Sequence, residues 1–460
     1  MKIPECPPSF RHLLDQKSGD GDRMERLGRV LQLLPTEVGR DCDSEYLHWD
    51  KLKYKPLPEG VASHEDWWNI TKFRRISVYR HLPLVAKDNT PFLYWLPDSA
   101  QQKLHLVDQQ ASGRIEIPEL VTNTHGRDRY LVNSLIEEAI TSSQLEGAST
   151  TRKVAKAMLR EGRKPRDKSE QMIFNNYQAL SFIRECVDSP LTNELIFELH
   201  KVVTRGTLND SSDEGRLRRP EEKIAVYDAR DDTLLHDPPP AAQLEERLAA
   251  LCRFANDDNP AGVFLHPVVR SIILHFMIGY DHPFVDGNGR TARALFYWSM
   301  ARHRYWLMEY VSISTVLKIA PSQYARAYLY TECDDNDVTY FIDFNLTIIL
   351  RAIGKLQRYL STKAKEVKQV EQVLGTSIFA RSLNDRQLAL LSHAIRNPGS
   401  TYTMESHRES HRITYPTARA DLLRLVELGL LEKHKVKRSF VFKAIDRLDE
   451  RLAQLGSKTS

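Results

Sequence analysis

Cysteine is scarce in this 460-residue chain: Cys6, Cys42, Cys186, Cys252 and Cys333 are scattered and odd in number. No CxxC pair or CxxC-plus-histidine spacing occurs, so neither a disulfide framework nor a zinc finger is indicated. A reducing cytoplasm is the simplest setting for such a chain. Long apolar runs are missing as well. The longest, Ser271 to Tyr280, is interrupted by His275 and is too short to cross a bilayer, so no membrane partner is expected. The stretch Met1 to Pro8 holds three prolines and lacks the charged head and apolar core of a secretion signal. There is no large excess of one charge: 65 basic and 61 acidic residues leave a formal +4. That is too balanced to predict nucleic-acid binding from the whole chain, and any such binding must come from a local patch. What remains is the profile of a globular protein, 41% hydrophobic and 27% charged. The length suffices for about three ordinary domains.

Residues 1–120 form an extension rich in aromatics and prolines, including Tyr46 to Asp50 and the pair Trp67-Trp68. Large aromatics carry much apolar burial, so these are expected to fill the core of a small domain. From Asp128 the pattern turns helical. Leu131, Val132, Leu135, Ile136, Ala139 and Ile140 recur at three- and four-residue steps, and Gly147 offers a stop. A further helix is predicted over Asn193 to Val203, capped by Thr192, with Ile196, Leu199 and Val203 inward. Lys223 to Tyr227 alternates apolar and polar, and Thr233 to His236 resembles a partner strand, which predicts a small hairpin. Helices return over Ala242 to Asn256, Val268 to Tyr280, Thr291 to Arg304 and Tyr340 to Leu360. A charged linker is expected near Lys363 to Gln372. After it, residues 376–450 run helix, short helix, longer helix and two strands, the order of a winged helix-turn-helix. The expected fold class is mainly α: a helical bundle over residues 121–362 with a small β-hairpin, flanked by the extension and the winged unit.

One segment carries chemistry: His282-Pro283-Phe284-Val285-Asp286-Gly287-Asn288-Gly289-Arg290-Thr291-Ala292-Arg293. It follows one apolar helix and opens another. A helix start presents unpaired amide donors and partial positive charge, which attract phosphate. Gly287 and Gly289 let the backbone turn inward, and successive amides in such a turn form an anion nest. Arg290 and Arg293, three residues apart, add cations on one helical side. Asp286 is a hard oxygen ligand beside the cradle, which suits Mg²⁺. His282 can accept a proton near neutral pH. Base, metal ligand, nest and clamps are the parts of phosphoryl or nucleotidyl transfer.

The string matches HxFx(D/E)GNGRxxR at every fixed position, and in this it resembles the Fic family. The resemblance extends with less force over Asp128 to Leu360. It implies that His282 deprotonates a Ser, Thr or Tyr hydroxyl of a target protein, which attacks the α-phosphorus of ATP. Asp286 would hold Mg²⁺, while Gly287, Asn288, Gly289, Arg290 and Arg293 would bind the nucleotide. Lys223, Ile224, Ala225, Val226 and Tyr227 look like the family's target-binding flap. Members that phosphorylate carry Lys where this chain has Gly289, so AMP transfer is the implied reaction. Transfer of another nucleotide, or removal of AMP, stays open. Asp281, where relatives have an apolar residue, is expected to be solvated.

Ser142 to Gly147 resembles the family's inhibitory motif [S/T]xxxE[G/N], on a helix over about residues 128–147. An acidic residue in a last turn opposes the helix dipole. A cation such as Arg293 would offset that cost, which makes Ser142 and Glu146 the expected brake. In the winged unit, Arg419 and Arg424 lie on the candidate recognition helix, and Lys435 and Lys437 lie on the candidate wing. They are the expected contacts to duplex DNA, with Asp421 and Glu427 diluting the basic face. The alternatives are use of this unit for protein docking or homodimer formation, and a DNA-binding regulator whose core only senses nucleotide. The intact His282 favours an enzyme, because a sensor needs phosphate ligands and no base.

Overall fold

A computed structural model describes residues 2–9, 21–39, 46–112, 124–228, 230–256, 264–376, 383–396, 399–411, 413–436, 439–445, 448 and 451–452. Two compact units are present, the first ending at Leu356 and the second beginning at Gln357.

The first unit opens with α1 (Gly21–Leu33), α2 (Trp49–Leu52) and α3 (His64–Ile76), followed by the antiparallel strands β1 (Arg80–Val85) and β2 (Pro91–Tyr94) and then α4 (Asp98–Ala111). Trp49, Leu52 and Trp68 pack together, as large aromatics should. Their domain is not separate, however. Lys72 Nζ meets Asp334 Oδ1 at 2.5 Å, the Tyr46 hydroxyl donates to Asp337 Oδ2 at 2.6 Å, and Arg75 Nη1 donates to the Tyr340 hydroxyl at 2.7 Å. Leu93 also bridges Asp337. The expected boundary near residue 120 is therefore corrected: the extension completes the core of the helical region. Its partners lie 262 to 291 positions away, out of reach of any local pattern.

The bundle comprises α5 (Thr124–Leu145), α6 (Arg152–Glu161), α7 (Lys168–Glu185), α8 (Asn193–Thr204), the hairpin β3 (Val226–Tyr227) and β4 (Leu234–His236), α9 (Leu244–Asn256), α10 (Pro267–Asp281), α11 (Asn288–Arg302), α12 (Ser314–Leu317), α13 (Pro321–Cys333) and α14 (Thr339–Thr376). On α5 the stripe Leu135, Ile136, Ala139 and Ile140 is buried, while the Leu131 and Val132 side chains lie outside the described residues. Thr192 caps α8 by accepting from the Leu195 amide at 3.2 Å. Helices α10 and α11 are buried on nearly every face and pack against each other in the centre, α10 mostly apolar and α11 carrying the buried Arg290 and Arg293. Phe276, Phe284, Phe296, Trp298 and Phe341 are fully buried there. The stretch 363–372 is no linker. It belongs to α14, since a run without Gly or Pro, rich in Lys, Glu, Gln and Val, can stay helical.

The second unit runs α15 (Asp385–Arg396), β5 (Thr401–Tyr402), α16 (Met404–His411), α17 (Tyr415–Glu427), β6 (Leu431–Val436) and β7 (Ser439–Ala444), with sheet order β5-β7-β6. This is the element order expected of a winged helix-turn-helix, plus β5, whose two residues are too few to show a period. Leu391, Leu422, Leu425, Leu430 and Phe442 form its core. Asp421 does not dilute a basic face. It is buried and accepts from Asn384 Nδ2 at 2.7 Å and Arg386 Nε at 2.8 Å, with His407 Nε2 at 3.3 Å.

Candidate active site

Helix α10 ends on His282, the C-cap, whose φ of 45° and ψ of 55° lie in the left-handed region that a side chain seldom occupies. Its amide bonds the Ile278 carbonyl at 3.1 Å, and Nδ1 lies 3.3 Å from the Gly279 carbonyl. A carbonyl only accepts, so Nδ1 carries the hydrogen and Nε2 keeps a lone pair. Burial pushes the imidazole down to about 4, so at neutral pH it is an unprotonated base. The backbone then turns. Phe284 is buried and stacks on His200 with ring centroids 3.8 Å apart. Gly287 sits at φ +86°, and a Cβ there would lie 2.7 Å from Thr204 Cγ2, so only glycine fits. Helix α11 starts at Asn288, and its first intrahelical acceptor is Gly287, bonded by the Thr291 amide at 3.0 Å. The amides of Asn288, Gly289 and Arg290 precede that bond and form the donor end of the helix. The Asn288 side chain, expected at the phosphates, also holds the turn. It accepts from the Phe284 amide and donates to the Phe284 carbonyl, both at 2.9 Å, and so closes the loop.

The two arginines differ. Arg290 is fully buried and donates through Nη1 to the Val203 carbonyl at 3.0 Å, while Nε and Nη2 make no hydrogen bond and Nη2 faces the Asp286 carboxylate. Buried unsatisfied guanidinium donors are costly and suit an anion. Asp286 is 3.8 Å from Arg290, half exposed, and accepts from the Gly287 amide at 2.5 Å. Arg293, also buried, is fully engaged by the end of α5. Nε donates to Ser142 Oγ at 2.8 Å, and Nη2 donates to the Ser142 carbonyl at 3.1 Å and to Glu146 Oε1 at 2.7 Å. A Cβ on Gly289 would overlap the Glu146 carboxylate. The inhibitory residues predicted from the sequence thus meet the far arginine and the second glycine of the loop.

Three supports are not legible as site residues. His200 donates through Nε2 to the Asp286 carbonyl at 2.8 Å while its Nδ1 accepts from the Gly215 amide at 3.0 Å. The only hint in the sequence is its place beside Leu199 and Val203 on the inward stripe of α8. Arg218 Nε donates to the His282 carbonyl at 2.9 Å, and its amide bonds the Pro283 carbonyl at 2.9 Å. Asp281 is buried, contrary to the solvated reading, and takes Arg247 Nε and Nη2 at 2.8 and 2.6 Å. Burial raises its carboxyl to about 6 against the pull of Arg247. The same guanidinium reaches the Val85 carbonyl at 2.6 Å, so the amino-terminal ribbon braces the end of α10.

The hairpin is shorter than predicted. Val226 pairs with His236 and Tyr227 with Leu234, whereas Lys223, Ile224 and Ala225 precede the strand. Tyr227 and Leu234 are about half exposed. Among the described residues no three His, Cys, Asp or Glu side chains gather as a metal cage. Magnesium held on phosphates needs only one or two carboxylates, and half-exposed Asp286 beside the anion seat fits that demand. In the second unit, Arg419 and Lys435 are exposed, Arg424 pairs with Glu427 at 3.2 Å, and Lys437 lies outside the described residues. No described helix is long and apolar enough to cross a membrane.

Residues 190–300 match the model of the Fic/DOC family, a stretch that holds α8, the hairpin, α10 and the whole loop. The complete motif lies inside that matching stretch, which spans about a quarter of the chain. "Protein adenylyltransferase Fic" of Nematostella vectensis is 24% identical over 201 residues, covering 42% of this chain and 43% of that protein. "Protein adenylyltransferase fic-1" of Caenorhabditis elegans is 26% identical over 293 residues, 61% of this chain and 51% of that protein. This chain therefore spans about half the length of these relatives, or less. Among solved structures, a Fic family protein from Desulfovibrio desulfuricans G20 is similar at a TM-score of 0.48 and 19% identity, covering 76% of this chain and 95% of that one.

Proposed function

We propose that this protein transfers AMP from ATP to a Ser, Thr or Tyr hydroxyl of a target protein. The observation that carries the reading is the pairing of an unprotonated His282 Nε2 with an anion seat made of helix-start amides and the Arg290 donors that make no hydrogen bond. His282 takes the hydroxyl proton while the oxygen attacks the α-phosphorus. A phosphodiester to the side chain forms, the bond to the bridging oxygen breaks, and pyrophosphate leaves. Asp286 would hold Mg²⁺, which when bound neutralises phosphate charge. The hairpin from Lys223 to His236 takes the target segment by strand addition, aligning a hydroxyl with little demand on sequence.

Glu146 restrains the reaction by occupying Arg293, which a productive terminal phosphate would need. The carboxy-terminal unit binds duplex DNA. Burial of Asp421 favours this over docking, because it leaves the face of α17 that bears Arg419 free of that carboxylate. The first test is labelling with ATP tagged on either the α- or the γ-phosphate. Label should pass to protein from the α-position alone. Transfer from the γ-position would make the enzyme a kinase and overturn the reading.

A further inference from the structure

Strand β4 ends on His236, which pairs across the hairpin with Val226. Its ring is buried and bridges two other elements. Nδ1 lies 2.8 Å from Glu332 Oε2 on α13, and Nε2 lies 2.6 Å from the carbonyl oxygen of Tyr280, two residues before His282. Both partners offer lone pairs. A backbone carbonyl has no proton to give, and an ionised carboxylate has none either. A neutral imidazole carries one N–H and cannot satisfy both contacts. The pair must hold one further proton.

We propose that His236 is a positioning residue that works as an imidazolium. It pins the target hairpin to the end of the catalytic helix, so loss of its proton frees the hairpin and misplaces the docked hydroxyl. This rests on the flap reading given above. The surroundings supply both signs. Glu332 and Asp281 face the ring as acids, and Arg247 on α9 and Arg218 before the hairpin act on the same Asp281 carboxyl. His282 lies within electrostatic reach and is itself neutral at pH 7. The Tyr280 ring, 4.9 Å from that of His236, has its hydroxyl occupied by the Lys87 amide. The other oxygen of Glu332 is buried without a partner, so this carboxylate depends on the ring for compensation. Once the ring is neutral, Nε2–H keeps Tyr280, and the Nδ1 lone pair faces the lone pairs of Glu332. The link from β4 to α13 is then repulsive.

Glu332→Gln separates this mechanism from plain packing. Its amide can donate to Nδ1 of a neutral ring while Nε2–H still serves Tyr280, so both contacts survive without the extra proton. The experiment is deuterium exchange of the hairpin, residues 223–236, in the full-length protein between about pH 6 and pH 9, corrected for intrinsic rates. Autolabelling from ATP is followed in parallel. In wild type, hairpin protection should fall about tenfold with rising pH, the worth of roughly one charge-assisted hydrogen bond. In Glu332→Gln it should be flat, and in His236→Ala low throughout. Wild-type protection that does not change with pH overturns the proposal. Should a variant fail to fold, the nitrogen NMR shifts of the wild-type ring decide: two protonated nitrogens support the imidazolium, and one opposes it. If protection follows the expected pattern while autolabelling ignores it, the anchor stands and the flap reading fails.

Discussion

The loop from His282 to Arg293 and the winged unit both present cations, in opposite ways. In the loop the cations are buried: Arg293 is held by Ser142 and Glu146, and Arg290 keeps two donors without a hydrogen bond, one of them 3.8 Å from Asp286. In the winged unit the buried charge, Asp421, is satisfied by three side chains, and Arg419 and Lys435 stand in solvent. A buried unpaired donor stores a desolvation cost that one well-placed anion relieves. A solvated cation stores none and attracts phosphate mainly by displacing counterions. On the function proposed above, the loop would take one small anionic ligand in fixed geometry, and the second unit a long polyanion.

The comparison breaks most visibly at the base. His282→Ala should lower AMP transfer by about 10²–10⁴-fold, the range for a missing general base, and leave ATP affinity nearly unchanged. Autolabelling beside calorimetric titration with ATP checks this, and comparable turnover in the variant would sink the assignment. Next in size is the docking hairpin. Ile224→Glu or Val226→Glu should lower target modification roughly tenfold, equivalent to about one strand-pairing hydrogen bond, with ATP affinity intact. Wild-type rates in both variants would remove its docking role.

Salt sharpens the contrast further. Duplex DNA binding should weaken steeply between low and moderate salt. Arg419→Ala or Lys435→Ala, each removing one cation from the phosphates, should flatten the slope by about 0.9. ATP binding at the buried seat should respond far less, because buried charges are poorly screened. Equal salt slopes for the two ligands would erase the distinction, and no gel shift even at low salt would favour protein docking. The smallest effect is in pH. Burial holds His282 at about 4, so the base stays unprotonated as pH falls from 8 to 6. The acid limb of kcat/KM should therefore sit near 4 rather than near the ordinary 6.5 of histidine. A limb near 6.5 would place the ring in solvent.

The candidate loop is legible in the sequence because it is contiguous: twelve residues hold the proposed base, nest and clamps in a fixed order. Glu146 is legible for a different reason, a second short motif read together with the first. The supports are not. Arg218, Arg247 and the Asp281 carboxylate meet only in three dimensions, and each alone reads as ordinary surface charge. Solvation is the natural expectation for Asp281 until Arg247 is placed beside it. Asn288 shows a subtler limit. Its place in the motif suggests a ligand contact, and its side chain also closes the turn on Phe284. The expected linker fails because charge alone does not break a helix, and Lys363 to Gln372 contains neither Gly nor Pro.

In the proposed function, Glu146 and a productive nucleotide compete for Arg293. The direct measurement is autolabelling from α-labelled ATP by wild type, Glu146→Gly, and Glu146→Gly combined with either Arg293→Ala or His282→Ala. Releasing Arg293 from Glu146 should correct a misplacement worth about 10²-fold in rate. Glu146→Gly should therefore label faster by that order, and both double variants should lose the gain. Labelling by Glu146→Gly no faster than wild type would contradict the account and return Glu146 to a structural residue or to a part in AMP removal.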